Sequence, residues 1–190
     1  MLSTTFNKEE EQIIEQAKKD PAHFRELYEK YFGKIFNFIH RKVYDEHLAA
    51  DITSQVFLSA LNSLHKYEHR GFPFSAWLYR IALNEVRQHF RDKKKQMYVF
   101  LDEQTLGNLE KDVDLWFDPE DPKDRNILQA AVSGLNEKDA YLLELRFQQE
   151  LNYRDIGEVL GTNENNIKQR AHRLYKKLRK ACETAQSKYA

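Results

Sequence analysis

The sequence predicts an all-α protein of two small helical domains. A helical bundle is expected over residues 1–95 and a helix-turn-helix domain over 122–190, joined by an acidic linker at 96–121. Three observations point there. Six glycines and four prolines in 190 residues leave long uninterrupted stretches in which apolar side chains recur every three to four positions, the helical period. No alternation of apolar and polar residues runs long enough for a useful strand. The formal charge is zero overall but unevenly laid out. Residues 1–95 hold 16 Lys/Arg against 13 Asp/Glu, residues 96–126 hold 3 against 9, and residues 127–190 hold 11 against 8. Two mildly basic ends therefore flank an acidic middle.

The bulk numbers limit the function classes. An apolar fraction of 41% with 32% charged residues belongs to a soluble globular chain and not to a disordered tail. No uncharged stretch approaches the ~20 apolar residues that a bilayer requires. The opening MLSTTFNKEEEQIIEQ lacks the basic and apolar segments of a secretory signal. Cys182 is the single cysteine, which excludes an internal disulfide or a multi-cysteine metal site and suits a reducing, cytoplasmic setting.

The elements follow in order. Phe24, Leu27, Tyr28, Tyr31, Ile35, Phe38 and Ile39 form one buried helical stripe, and Asp20-Pro21 supplies a cap and a first-turn proline to start it. Leu48, Ile52, Val56, Ala60 and Leu64 form a second stripe. Trp77, Ile81 and Phe90, with Leu78 and Val86, form a third. From Gln96 to Asp121 the period breaks into scattered aromatics and eight acids, read as a linker with a weak strand or turn. Asp121-Pro122 opens the next helix, whose stripe is Leu128, Ala131, Val132 and Leu135. Asn136, with Asp139 three residues on, caps a helix bearing Tyr141, Leu142 and Leu145.

The segment NYRDIGEVLGTNENNIKQRAHRLYKKLRK, Asn152 to Lys180, has the layout of a helix-turn-helix. Asn152 caps a short helix with Ile156, Val159 and Leu160 inward. Gly157 is small where two helices cross closely. Gly161 supplies the positive φ that ends that helix. Asn163 then caps a second helix whose buried side is Ile167, Ala171, Leu174 and Leu178. Asn165, Asn166, Lys168 and Gln169 stand in its early turns, and short amide and basic side chains there read base edges in a major groove. Arg170, Arg173, Lys176 and Lys177 follow, of the type that neutralises phosphates. A solvated basic helix end is the plainer reading of those cations, since they also favour a helix C-terminus.

GFPFSAWLYRIALNEVRQHFRDKKK, Gly71 to Lys95, calls for a different chemistry. Phe72, Phe74, Trp77 and Tyr79 are interleaved with Arg80, Arg87, Arg91 and a closing run of three lysines. Bases inside a duplex offer their faces to nothing, whereas an opened strand does. Aromatic side chains bind such bases at ~1–3 kcal/mol each while cations follow the backbone, and extruding a base costs a few kcal/mol that a pocket must return. The His69–Pro73 loop is a candidate pocket wall. For any one of these aromatics core packing is the simpler role, for Trp77 most of all.

Phe74 to Asn84, with its basic continuation, resembles the promoter-melting region of the bacterial extracytoplasmic-function sigma factors. The upstream DEHLAADITSQVFLSAL resembles that family's polymerase-clamp-binding helix, and Asn152–Lys180 resembles its −35-reading domain. The three blocks stand in the family's order. The resemblance implies a transcription initiation factor that binds core RNA polymerase and promoter DNA, holds the −10 element as a single strand and reads the −35 element as a duplex. The residues it assigns to the −10 strand are Tyr67, His69, Arg70, Phe72, Phe74, Tyr79, Arg80, Asn84, Arg87 and Arg91. Those it assigns to the −35 duplex are Asn163, Asn165, Asn166, Lys168, Gln169, Arg170, Arg173, Lys176 and Lys177. Asp51, Ser54, Gln55 and Phe57 fall at clamp-contact positions. Ser54 and Gln55 depart from the family's commoner Gln-Glu, which shifts weight to Asp51 and Phe57. An anti-sigma protein is a further partner of many members. The acidic linker, of about 26 residues and so at most ~95 Å long, would suit a basic channel normally occupied by RNA.

Two other readings are open. A helix-turn-helix regulator that never joins polymerase would share the C-terminal domain but leaves Phe74–Asn84 unexplained. An enzyme has little to stand on. His23, His40, His47, His65, His69, His89 and His172 are scattered, with no metal-ligand spacing, and neither a phosphate-cradling glycine loop nor a nucleophile elbow is present. No catalytic residue, metal or cofactor is expected.

Overall fold

The computed structural model describes residues 8–90, 107–109 and 121–186. The chain divides into two compact units, the first of residues 1–97 with 158–160 and the second of residues 98–157 and 161–190. Helices α1 (Lys8–Lys19), α2 (Phe24–Val43), α3 (Glu46–Ser63) and α4 (Phe74–Phe90) fall in the first, and α5 (Pro122–Ser133), α6 (Glu137–Leu143), most of α7 (Tyr153–Leu160) and α8 (Glu164–Gln186) in the second. Among the described residues there is no strand. The acidic linker lies outside the described residues apart from 107–109, a helical fragment in which Leu109 is fully buried. The expectations of a weak strand and of an RNA-channel mimic there therefore concern residues outside the description.

In the N-terminal unit α2 packs on α3 and α4, and α3 packs on α4. Leu27, Ile35, Phe38 and Ile39 of α2 meet Ala49, Val56 and Ala60 of α3 and Leu78, Ala82, Leu83 and Val86 of α4, each fully buried. The Asp20-Pro21 start is displaced by one turn: Asp20 accepts from the Ala22 N–H at 3.0 Å and caps a 3₁₀ turn, Pro21–His23, that leads into α2. The join to α3 takes only two residues. Tyr44 adopts the left-handed conformation, φ 53°, and its N–H bonds the His40 carbonyl at 2.9 Å. Asp45 then caps α3 through the Leu48 N–H at 3.0 Å. Lys42 is buried in the last turn of α2. Its ammonium donates to the Phe38 carbonyl at 3.2 Å and sits 3.6 Å from the Phe38 ring centre, where the helix end favours a cation.

Three expectations need correction. Tyr28 is not part of the buried stripe but 38% exposed, because its ring lies at the margin against Phe32 and Phe57. The stripe of α4 runs through Phe74, Leu78, Tyr79, Ala82, Leu83 and Val86, while Trp77, Ile81 and Phe90 are only partly buried. And α1 has no counterpart among the expected elements. It buries Ile14 and Ala17, and Glu10 ties it to α2 by bonding both the Lys30 ammonium and the Tyr31 hydroxyl.

In the C-terminal unit the caps stand where the residues suggest. Asp121 accepts from the Lys123 N–H at 2.8 Å, Asn136 from Asp139 at 3.0 Å, Asn152 from Asp155 at 2.9 Å and Asn163 from Asn166 at 2.8 Å. After α6 the chain widens into a π turn over Glu144–Gln148. The Gln149 N–H reaches back to the Glu144 carbonyl at 3.1 Å. Helix α8 packs on α5 and α6, burying Ile167, Ala171, Leu174 and Leu178 as expected, and continues the stripe one turn further to Cys182, which is fully buried. Burial pushes the Cys182 thiol up to about 11, with Asp124 and Glu183 adding to it. In α7 the inward side is Asp155, Ile156 and Val159, and Leu160 stands half out.

The turn between α7 and α8 explains both of its glycines. Gly161 sits at φ +69°, open to glycine at no steric cost. Gly157 is pinned by the turn itself: its carbonyl accepts from the Thr162 N–H at 2.8 Å, and an added Cβ would stand 2.8 Å from the Thr162 carbonyl oxygen. Gly157→Ala is therefore expected to destabilise the C-terminal unit by ~1–3 kcal/mol, the usual cost of forcing an extra methyl group into packed surroundings. Denaturant unfolding of the variant checks it, and a loss below a few tenths of a kcal/mol would show that the turn yields.

Candidate nucleic-acid interface

In the N-terminal unit the candidate site is the loop after the 3₁₀ turn Leu64–Lys66 together with the outer side of α4. Phe74 anchors it. Its ring centre lies 5.7 Å from that of Tyr31, 5.3 Å from Tyr67 and 5.3 Å from Trp77, and Tyr67 and Trp77 are 5.0 Å apart. Edge and tilted contacts of this kind each contribute ~0.5–1.5 kcal/mol beyond burial. The loop is shaped by Gly71 at φ 77°, whose N–H donates to His69 Nδ1 at 3.1 Å. Arg70 forms a 2.9 Å ion pair with Glu68, but both are more than two-thirds exposed, so the pair is easily exchanged for another anion.

The expected −10 residues separate by burial. Phe74 is 1% and Tyr79 2% exposed. Tyr79 packs edge-on against Phe38 at 5.0 Å. Both rings are core residues, which corrects the expectation that they face a base: no ring face is open. Tyr67 is also buried. His69 and Arg70 are exposed, and Phe72 and Trp77 are half-buried at the loop. Arg80, Asn84 and Arg87 fall on one stripe of α4, spaced i, i+4, i+7, with Asn84 exposed and the two arginines half-buried. Arg91 and the three lysines lie outside the described residues.

On α3, Asp51, Ser54 and Gln55 are exposed along one stripe, and Leu58, missed from the sequence, completes it at 50% exposed. The i+7 spacing from Asp51 was the available signal. Phe57 is buried instead, against Phe24, Tyr28 and Phe32. Phe57 therefore supports this surface from beneath, a correction to its expected contact role.

In α8 the early turns are partly engaged already. Asn163 is the cap. The Asn166 side-chain amide donates to Thr162 Oγ1 at 3.0 Å, Lys168 pairs with Glu164 at 2.6 Å, and Arg170 donates to Asp139 at 2.7 Å. Asn165, Gln169, Arg173, Lys176 and Lys177 are exposed. An exposed amide at the start of the helix and a row of cations behind it are what a helix needs to enter a major groove and hold the backbone beside it. Among the described residues no group of three or more His, Cys, Asp or Glu side chains is placed to hold a metal ion. No helix among them is long and apolar enough to cross a membrane.

Comparison with known proteins bears on the family of the chain. The model of sigma-70 region 2 matches residues 27–96, and that of sigma-70 region 4 matches residues 125–178. The sigma factor BldN of Streptomyces coelicolor, described as an extracytoplasmic-function RNA polymerase sigma factor, is 30% identical over 172 residues, covering 88% of this chain and 63% of that protein. The chain carries regions 2 and 4 of the sigma-70 factors and is similar to proteins named extracytoplasmic-function sigma factors. SigW of Bacillus subtilis, of the same description, is 29% identical over 175 residues, 88% of this chain and 93% of its own. The chain thus spans less than two-thirds of BldN but nearly all of SigW. CnrH, solved in complex with the cytosolic domain of CnrY, shares the fold at a TM-score of 0.60 and 19% identity, covering 90% of this chain and 96% of that one.

One electrostatic property of the sigma factor's N-terminal unit is measurable directly. Burial, with Glu10 and Glu11 nearby, pushes the Tyr67 phenol from 10.0 up to about 12, and burial together with Glu10 raises Tyr31 further. The unfolded chain ionises its phenols from about pH 10 while the folded unit resists. The stabilisation is full below pH 10 and is lost as pH rises towards 12. Denaturant unfolding between pH 9 and 12 is expected to show a fall in stability that is smaller in Tyr67→Phe. An identical fall in the variant would remove Tyr67 from this account.

Proposed function

We propose that the chain acts as an initiation factor that divides promoter recognition between two chemistries. α8 reads the −35 element as duplex DNA through Asn165 and Gln169, with Arg173, Lys176 and Lys177 on phosphates. The loop at Tyr67–Pro73 and the Arg80, Asn84, Arg87 stripe hold the −10 element as a single strand, with the half-buried rings of Phe72 and Trp77 against its bases. Asp51, Ser54, Gln55 and Leu58 contact the polymerase clamp. The observation that carries the reading is a half-buried aromatic loop beside a basic helical stripe, in a chain whose other unit already supplies a duplex reader. A duplex-binding regulator would leave that loop without a task. The role needs no catalytic group or cofactor and places the protein in the cytoplasm. CnrH is solved with a partner domain, and an anti-sigma protein for this chain fits the same reading.

Transcription in vitro with core polymerase tests it. Lys176→Ala should weaken promoter binding across all sequences and reduce the salt slope by ~1. Phe72→Ala should leave that binding within about twofold while thymine reactivity to permanganate at the −10 element falls, since an aromatic face is worth ~1–3 kcal/mol to an unstacked base. Equal losses of both properties in both variants would contradict the division. For the clamp, Leu58→Glu should abolish co-purification with core polymerase while leaving the fold intact by circular dichroism. Undiminished co-purification would remove Leu58 from that surface.

A further inference from the structure

Arg170 differs from the other cations of α8. It lies between Ile167 and Leu174, at the border of the buried stripe, and its side chain is one-third exposed. Its Nε donates to Asp139 Oδ1 at 2.7 Å, and the Asp139 side chain is only 14% exposed. Asp139 belongs to the first turn of α6, where Asn136 Oδ1 accepts from its N–H at 3.0 Å and Asn136 Nδ2 donates to its Oδ2 at 2.6 Å. One carboxylate therefore closes the start of α6 with one oxygen and grips the reading helix with the other. A charge-assisted hydrogen bond of this kind is stronger and more directional than a neutral one. By contrast, Lys168 pairs within its own helix, and Lys176 and Lys177 stand in solvent.

We propose that Arg170 is a positioning residue: through Asp139 it sets the angle at which the first turns of α8 meet a duplex, and it does not itself bind a phosphate. The inference rests on the −35 reading proposed above. Asn165 lies five residues before Arg170, about 7.5 Å along the axis, so a tilt of about 10° at the strut moves it by roughly 1.3 Å. Base-edge hydrogen bonds tolerate a shift of only ~0.5 Å. Loosening the strut therefore costs discrimination between bases, whereas backbone attraction, being less directional, survives.

The test uses the whole chain bound to core RNA polymerase. The wild type first selects its preferred sequence from a promoter library randomised at the −35 element. Affinity for that sequence and for a scrambled one is then measured across a range of salt. Asp139→Asn keeps the cap shape and removes the charge. Arg170→Lys keeps the charge and removes the planar fork. Arg170→Ala removes both. All three are expected to flatten the preference at every −35 position and to lower the selected-to-scrambled affinity ratio by about 10-fold, the size of one hydrogen bond to a charged group. The salt slope should stay at the wild-type value, and the double variant Asp139→Asn/Arg170→Ala should be no worse than either single one. A phosphate contact predicts the reverse. Arg170→Ala would weaken both sequences alike and lower the slope by ~0.9, Arg170→Lys would be mild, and Asp139→Asn would be silent. That pattern overturns the proposal. Thermal melts accompany each variant, and if Arg170→Ala fails to fold, Arg170→Lys and Asp139→Asn decide alone. A wild type that selects no −35 sequence would count against the promoter reading itself; selection by the wild type with an unaffected Asp139→Asn counts only against the strut.

Discussion

A helix in a small domain has one face to bury, and in both units of this sigma factor the placement of that face decides which side chains remain for the proposed nucleic-acid contacts. Helix α4 gives Phe74, Leu78, Ala82 and Val86 to its core, which leaves Arg80, Asn84 and Arg87 aligned on an outer stripe. Helix α8 gives Ile167, Ala171, Leu174 and Leu178, which turns Asn165, Gln169 and the following cations outward. A shift of either buried stripe by one residue would rotate the remaining side chains by about 100° and dismantle the surface. Packing and recognition are thus a single choice made twice.

The two proposed surfaces would obey different physics. Attraction between the α8 cations and a duplex is long-ranged, additive and weakened by salt. Contact between a ring and an unstacked base is short-ranged, nearly indifferent to salt and available only after strands separate. A chain that carries both can hold a site loosely before opening and firmly afterwards.

Punctuation was the most legible part of the sequence. Asp121, Asn136, Asn152, Asn163 and the two turn glycines act through chemistry local to a few residues, and each sits where the residue type demands. The buried stripes were legible where large apolar residues mark them and less so in α4, where Ala76 and Ala82 are fully enclosed yet carry almost no hydrophobic signal. The eye then follows Trp77 and Ile81, which lie at the edge. Helix α1 escaped because its only buried residues are Ile14 and Ala17, too few to establish a period. The candidate site was legible as composition but not as geometry. Whether a ring serves the core or a ligand, as with Phe74 and Tyr79, depends on neighbours dozens of residues away. The diversion of Arg170 to Asp139 spans 31 positions, and no local pattern announces it.

The sealed thiol of Cys182 has a chemical consequence. Thiolate is the reactive form of cysteine, and with the thiol held at about 11 very little of it exists at neutral pH. The folded factor should therefore be slow to oxidise, to cross-link to a second copy or to take up alkylating reagents. A cysteine introduced on the surface would carry a fluorescent probe almost alone, with the native residue left in place.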